Sequence, residues 1–140
     1  MKGRILAVDP GTKRLGIAIS DPERMLARPL MVIRHVSLEV DCGKIIETCL
    51  QHDVNLIVIG QALSADGEES PQSRHANKLA DSLRNKSAIP IVLWDESEST
   101  KFAQQNALAA GVSQKKRAGH LDEHAAAVIL QNFLDANETW

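Results

Sequence analysis

The run Leu56-Ile57-Val58-Ile59, closed by Gly60, restricts the fold more than any other stretch of the chain. Consecutive apolar residues without polar alternation describe a strand covered on both faces, as in a parallel sheet held between layers of helix. Ile91 to Trp94 has the same character. Before these strands, Arg4 to Val8 reads as a strand that ends at Asp9, and Leu15 to Ser20 as its antiparallel neighbour. Pro10-Gly11 between them suits a type II turn, with proline presetting the first central φ and glycine taking the positive second one. Ala27 to Arg34 is a third strand, and Pro29 inside it points to the edge of the sheet.

The period changes at Leu38. Leu38, Cys42, Ile45, Ile46 and Cys49 share one helical face and predict a helix over 38–52. A loop through Asp66-Gly67 leads to Ser70-Pro71, an N-cap followed by a first helical residue. The helix that follows turns Ala76, Leu79, Ala80 and Leu83 inward. Two more helices are expected, from about Ser99 to Ala110 and from about Asp122 to Asp135. The fold class is therefore α/β, with a five-stranded mixed sheet flanked by helices. The 140 residues read as one domain over 1–140, without repeat or linker.

Right-handed crossovers make the fourth and fifth strands parallel to the first. Asp9, Gly60 and Glu96 then meet at the carboxyl edge, where open α/β sheets bind ligands. Taken singly, each acid also suits a bland role. Asp9 can bond its own turn, Asp95-Glu96 can sit at a solvated helix start, and Asp122 can cap the last helix. Taken together, Asp9, Glu96 and Asp122 come from separate elements and gather at one edge. Carboxylates placed so repel unless hard cations with oxygen ligands, Mg²⁺ or Mn²⁺, hold them together. Two such ions about 3.5–4 Å apart stabilise both the attacking and the leaving oxygen in phosphodiester cleavage.

A net charge of -2 excludes a surface coated in positive charge, so nucleic-acid contact must come from local patches. With no Tyr, two Phe and two Trp, stacking along a single strand is a poor fit. The basic candidates for substrate contact are Lys13 and Arg14 after the first turn, and Lys115, Lys116 and Arg117 before the last helix. A solvated charge run is the competing reading of the second cluster. Thr12 suits either a phosphate bond or a turn cap, and His120 and His124 are either proton carriers or weak metal ligands near Asp122, or ordinary partly exposed histidines. No apolar run is long enough to span a bilayer, and the start of the chain does not resemble a secretory signal. Cys42 and Cys49 read as reduced core thiols, which fits the cytoplasm.

These pieces, in this order and spacing, resemble the YqgF (RuvX) family of bacterial RNase H-like proteins related to Holliday junction resolvases. The resemblance runs nearly end to end. It rests on Asp9-x-Gly11-Thr12-Lys13-x-x-Gly16-Ile17-Ala18, on Ala27-Arg28-Pro29-Leu30, and on Gly60 with Asp66-Gly67. It continues in Asp95-Glu96-x-x-Ser99-Thr100 and Asp122-x-x-Ala125-Ala126-x-x-Ile129-Leu130. It implies an RNase H-like nuclease that uses Mg²⁺ or Mn²⁺. Asp9, Glu96 and Asp122 are then its catalytic, metal-binding acids, and the 5′ end of pre-16S rRNA its substrate. A Holliday junction resolvase acting on branched DNA and a non-catalytic nucleic-acid-binding module are the alternatives, and the expected assembly is a monomer or a homodimer. An ATPase of the actin and sugar-kinase type shares the Asp-x-Gly-Thr hairpin, but closes two such domains around its nucleotide. Two departures stand out: Gly60-Gln61-Ala62 replaces the family's Gly-Leu-Pro, and Ser97 replaces an Arg after the fifth-strand Glu. The second removes a fixed cation beside Glu96.

Overall fold

The structure, a computed structural model, describes residues 2–11, 13–61, 71–95 and 121–136, with 71, 72, 95 and 121–123 given by their backbone alone. The elements in chain order are β1 (Arg4–Pro10), β2 (Arg14–Ser20), β3 (Ala27–Arg34), α1 (Leu38–Gln51), β4 (Val54–Gln61), α2 (Pro71–Lys86), β5 (Ile91–Asp95) and α3 (Leu121–Ala136). The strands form one five-stranded sheet in the order β3-β2-β1-β4-β5. β1 pairs antiparallel with β2 and parallel with β4, β2 pairs antiparallel with β3, and β4 pairs parallel with β5. The expected mixed sheet is present, and β3 stands at its edge as Pro29 requires. The register slips between Ile17 and Ala18, whose partners are Met31 and Pro29. Leu30 is thereby a bulge residue beside a proline that has no N–H to give.

Alternation along the strands sends side chains into two separate cores. On one face Leu6, Val8, Leu15, Ile17, Ile19, Ile33, Ile57 and Ile59 pack against α1 and α2. Ala76, Leu79, Ala80 and Leu83 of α2 are fully buried there, as their spacing predicts. On the other face Ile5, Ala7, Ala18, Leu56 and Val58 pack against Ala126, Ile129, Leu130, Phe133 and Leu134 of α3. Phe133 meets Trp94 of β5 edge to face, with ring centroids 5.3 Å apart.

Local chemistry sets the helix ends. The Ser37 side chain accepts the Val40 N–H at 3.2 Å and caps α1, whose first turn carries Glu39 and Asp41. α1 stops at His52, where Asp53 takes a left-handed φ of 55°. Cys42 and Cys49 are buried free thiols. The helix expected over 99–110, the loop at Asp66-Gly67 and the cap at Ser70 lie outside the described residues.

The first turn differs from expectation. Gly11 donates its N–H to the Asp9 carbonyl at 3.0 Å, and Gly3, with φ 93°, is the positive-φ glycine among the described residues. No type II turn with a positive Gly11 φ forms, because β1 stays extended through Pro10, which pairs with Leu15. The glycine is needed for another reason. A Cβ on Gly11 would lie 2.2 Å from the Arg14 carbonyl oxygen.

Candidate active site at the carboxyl edge

Asp9 is the penultimate residue of β1, the central strand. Ile5 and Ala7 face the α3 core, so the alternation places Asp9 on the α3 face, one step nearer the edge. It is half-buried. Its direct partner on β2 is Gly16. On the other side, Val8 lies beside Ile59, so Gly60 is the next β4 position at the level of Asp9. Both neighbouring strands therefore present no side chain next to this carboxylate. A sheet that elsewhere packs Ile, Leu and Val side by side flanks this one acid with two glycines.

The other carboxyl ends come to the same edge. Gly60 pairs with Trp94 and Gln61 with Asp95, the last residue of β5. Glu96, next in the chain, lies outside the described residues. α3 crosses β2 and β3 with its C-terminal half over their far end: the Gln131 side-chain oxygen accepts the Ala27 N–H at 2.9 Å, and its nitrogen donates to the Met25 carbonyl at 3.2 Å. Its N-terminal half thus points toward the Asp9 end. Position 122 is in the first turn, one turn before the fully buried Ala126 and on the same helical face. Only the backbone of Asp122 is described. The sheet and α3 thus carry two of the predicted acids to one edge, and bring the chain to the residue before the third.

Among the described residues, no three His, Cys, Asp or Glu side chains converge as a metal site. Asp9 is the one proposed acid whose side chain is described, and its hard carboxylate oxygens are donors of the kind a divalent cation takes. Lys13 and Arg14 are exposed at the same edge, immediately after the turn. Lys115, Lys116, Arg117, Thr12, Ser97 and His120 lie outside the described residues, and His124 is exposed on α3.

The Gln61 departure has a clear structural role. Its side-chain nitrogen donates to Ser73 Oγ at 3.0 Å and to Asn77 Oδ1 at 3.1 Å, both on α2. Ser73 is fully buried. Gln61 thus ties the end of β4 to the helix behind the sheet, on the face opposite Asp9. The sequence pattern also did not disclose a second anchor at this edge. Asp41 is buried in the first turn of α1, its Oδ2 meets His35 Nδ1, and its Oδ1 accepts the Val36 N–H at 3.1 Å. His35 in turn donates its backbone N–H to the Lys13 carbonyl at 2.9 Å. The available signal was an acid at position 41 on a helix face otherwise lined by Cys42 and Ile45.

Comparison with known proteins agrees with this architecture. The family model described as "RuvX: Holliday junction resolvase" matches residues 3–136. A relative from Anaeromyxobacter sp. (strain Fw109-5), named "Putative pre-16S rRNA nuclease", is 38% identical over 132 residues, covering 94% of this chain and 96% of its own. One of the same name from Roseiflexus sp. (strain RS-1) is 37% identical over 134 residues, covering 96% and 95%. Among solved structures, RuvC of T. thermophilus in complex with a Holliday junction substrate superposes with a TM-score of 0.59 at 14% identity, covering 97% of this chain and 96% of that one. The fowlpox virus Holliday junction resolvase gives 0.54 at 12% identity, covering 95% and 99%. The last two comparisons establish the fold, that of RuvC-like, RNase H-like resolvases. The family match spans residues 3–136, which hold the whole sheet and α3, and the chain belongs to the RuvX family of nucleases.

Proposed function

We propose that this chain is a one-domain, metal-dependent phosphodiesterase of the cytoplasm that processes the 5′ end of pre-16S rRNA during ribosome biogenesis. Its catalytic, metal-binding acids are Asp9, Glu96 and Asp122. The observation that carries this reading is the position of Asp9 between two glycines, Gly16 and Gly60, at the sheet edge where β5 ends at Asp95. The names of the relatives support the ribosomal substrate, and the buried free thiols Cys42 and Cys49 suit a reducing compartment.

Bound Mg²⁺ or Mn²⁺ would supply charge neutralisation at the attacking and leaving oxygens of the phosphodiester. The chain's own contribution is placement. Asp9 offers carboxylate oxygens from the most firmly held strand of the sheet, and the glycines beside it give the sugar-phosphate backbone room to approach. Lys13 and Arg14 hold phosphates flanking the scissile one, as do Lys115, Lys116 and Arg117 ahead of α3.

The test is incubation of the full chain with Mn²⁺ and a labelled RNA spanning the 5′ boundary of the small-subunit rRNA, beside Asp9→Asn. Discrete cleavage by the wild type and none by the variant is expected; equal cleavage by both would sink the reading. A labelled four-way DNA junction in the same assay addresses the second reading, a resolvase acting on branched DNA. The description of the matching family model and the RuvC-like fold favour it. Junction resolution calls for a symmetric homodimer, so sedimentation of the protein–junction complex distinguishes the two. A non-catalytic nucleic-acid-binding module, suggested by Ser97, would bind either substrate and cut neither. Gln61 gives that reading no support, because its side chain is engaged with α2 away from Asp9.

A further inference from the structure

Arg14 and Arg34 are direct partners across β2 and β3. Residues opposite each other in an antiparallel pair project to the same face, and like charges in that relation destabilise the sheet. Their face follows from the register. Ile33 and Leu15 are partners whose side chains both belong to the α1/α2 core, so the next pair, Arg14 and Arg34, projects to the α3 face. Asp9, Gly16 and Val32 form one row across that same face, and the arginine pair is the next row outward. Both arginines are exposed, and Val32 beside Arg34 is 40% exposed.

We propose that Arg34 is a phosphate-binding residue which, with Arg14, grips one backbone phosphodiester of the nucleic-acid strand on the β2–β3 side of Asp9. The ligand chemistry is a phosphodiester anion shared between two guanidinium groups, each a donor fork matched to phosphate oxygens. Two strand spacings across the sheet and one same-face step outward put the Arg34 Cα about 12 Å from that of Asp9. That is within a few nucleotides of the scissile bond. Arg34 is held in place from behind: His35 bonds the Lys13 carbonyl and, through its ring, Asp41, so the end of β3 is fixed to both the β1–β2 turn and α1. Arg28 provides an internal control. It is an exposed arginine of the same strand, opposite Ile19 of the α1/α2 core, at the far end of β3 and on the other face.

This inference rests on Asp9 marking the cutting edge, and a binding measurement separates the two. The full chain is titrated against a fluorescein-labelled RNA duplex with a single-stranded 5′ extension, and in a second arm against a four-way DNA junction, in EDTA across a salt series. Arg34→Gln is expected to weaken binding about tenfold at about 0.15 M salt and to flatten the logarithmic salt dependence by about one phosphate's worth. Arg28→Gln should bind as wild type. The double variant Arg14→Gln/Arg34→Gln should lose less than the product of the single losses, because one phosphate is shared. The arm with the larger Arg34 effect identifies the strand type that occupies the pair. In low salt without nucleic acid, Arg34→Gln should melt no lower than wild type, which separates lost contact from lost folding. Wild-type affinity and slope in Arg34→Gln overturn the proposal, as does an equal loss in Arg28→Gln or a purely multiplicative double variant. Weakened binding in Arg34→Gln together with full cleavage by Asp9→Asn would retain this site and discard Asp9 as the catalytic acid.

Discussion

Asp41→Ala tests whether the carboxyl edge is held by a buried acid. The side chain is 1% exposed, and its removal loses two bonds: Oδ2 to His35 Nδ1, and Oδ1 to the Val36 N–H. A bond to a charged partner contributes about 1.5–3 kcal/mol when buried. The His35 side chain is 32% exposed and recovers water when abandoned, which lowers that figure to about 1–1.5 kcal/mol. Val36 is 61% exposed, so its amide also finds water and its bond is worth about 0.5–1 kcal/mol. The expected loss is about 2 kcal/mol, a factor of about 30 in the folding equilibrium. With an unfolding entropy of about 2.1 cal/mol/K per residue over 140 residues, this lowers Tm by about 7 °C. Urea titration followed by far-UV circular dichroism is the assay, and the m-value should stay constant. Asp41→Asn retains one acceptor for Val36 and should lose about half as much. A loss below about 0.5 kcal/mol in Asp41→Ala would refute the reasoning, since it would place the variant among ordinary surface changes.

Three further outcomes follow from the geometry. Gly16→Val places a branched side chain beside Asp9, and is expected to abolish Mn²⁺-dependent cleavage and the Mn²⁺-induced rise in Tm while the far-UV spectrum persists; undiminished cleavage would show that the open position is dispensable. The Leu26 N–H, with those of Met25 and Glu23, holds the Asp21 carboxyl below its ordinary value of 3.8. A lowered folded pKa stabilises the protein above the unfolded value and loses that contribution as pH falls through the folded one. The stability gap between wild type and Asp21→Asn should therefore narrow below pH 3.8, and a constant gap would dismiss the capping role. Burial pushes the Cys49 thiol up from 9.0 to about 12, so stability should fall as pH rises through that window, where the unfolded thiol ionises and the folded one does not. Cys49→Val should flatten that fall, and an Ellman titration at pH 8 should find the native thiols unreactive until urea is added.

The sheet was legible because its signals are local. Pro29 marks an edge by chemistry that any strand obeys, and Leu56 to Ile59 can be buried on both faces only in the interior of a layered fold. The faces of α1 and α2 followed from the spacing of Cys42, Ile45 and Cys49 and of Ala76 to Leu83. The type II turn failed because Pro-Gly encodes a preference of two residues, while pairing of Pro10 with Leu15 keeps the strand extended beyond Asp9. A tertiary constraint prevailed over a turn propensity. Asp41 was illegible for a related reason. Its partners are at 35 and 36, outside the helix that its spacing describes, so periodicity flags it only as a polar residue on an apolar face. At the carboxyl edge, Asp9 was readable as a strand-end acid, but its glycine neighbours gained meaning only once Gly16 and Gly60 stood on either side of it. Arg34 is the clearest case of this kind: an unremarkable strand-end cation in the sequence becomes half of a like-charged pair only in the register with Arg14.

Among the described residues β1 is the one strand that pairs both antiparallel and parallel, so the acid near its end lies between segments that are distant in sequence. Its antiparallel neighbour brings the basic turn at Lys13 and Arg14; its parallel neighbour begins the pair of strands that ends at Gln61 and Asp95. The two faces behind the edge have different tasks. The α1/α2 face is filled with Leu and Ile and ties down the ends of the strands through Asp41 and Gln61. The α3 face uses Ala7 and Ala18 against Ala126, small residues that allow the helix to lie close to the sheet where position 122 approaches the edge. Bulk on the first face fixes the strands, and smallness on the second sets how near α3 can lie to the sheet. On the same face the row beyond Asp9, Arg14 and Arg34, is exposed, where the proposed phosphodiester contact lies.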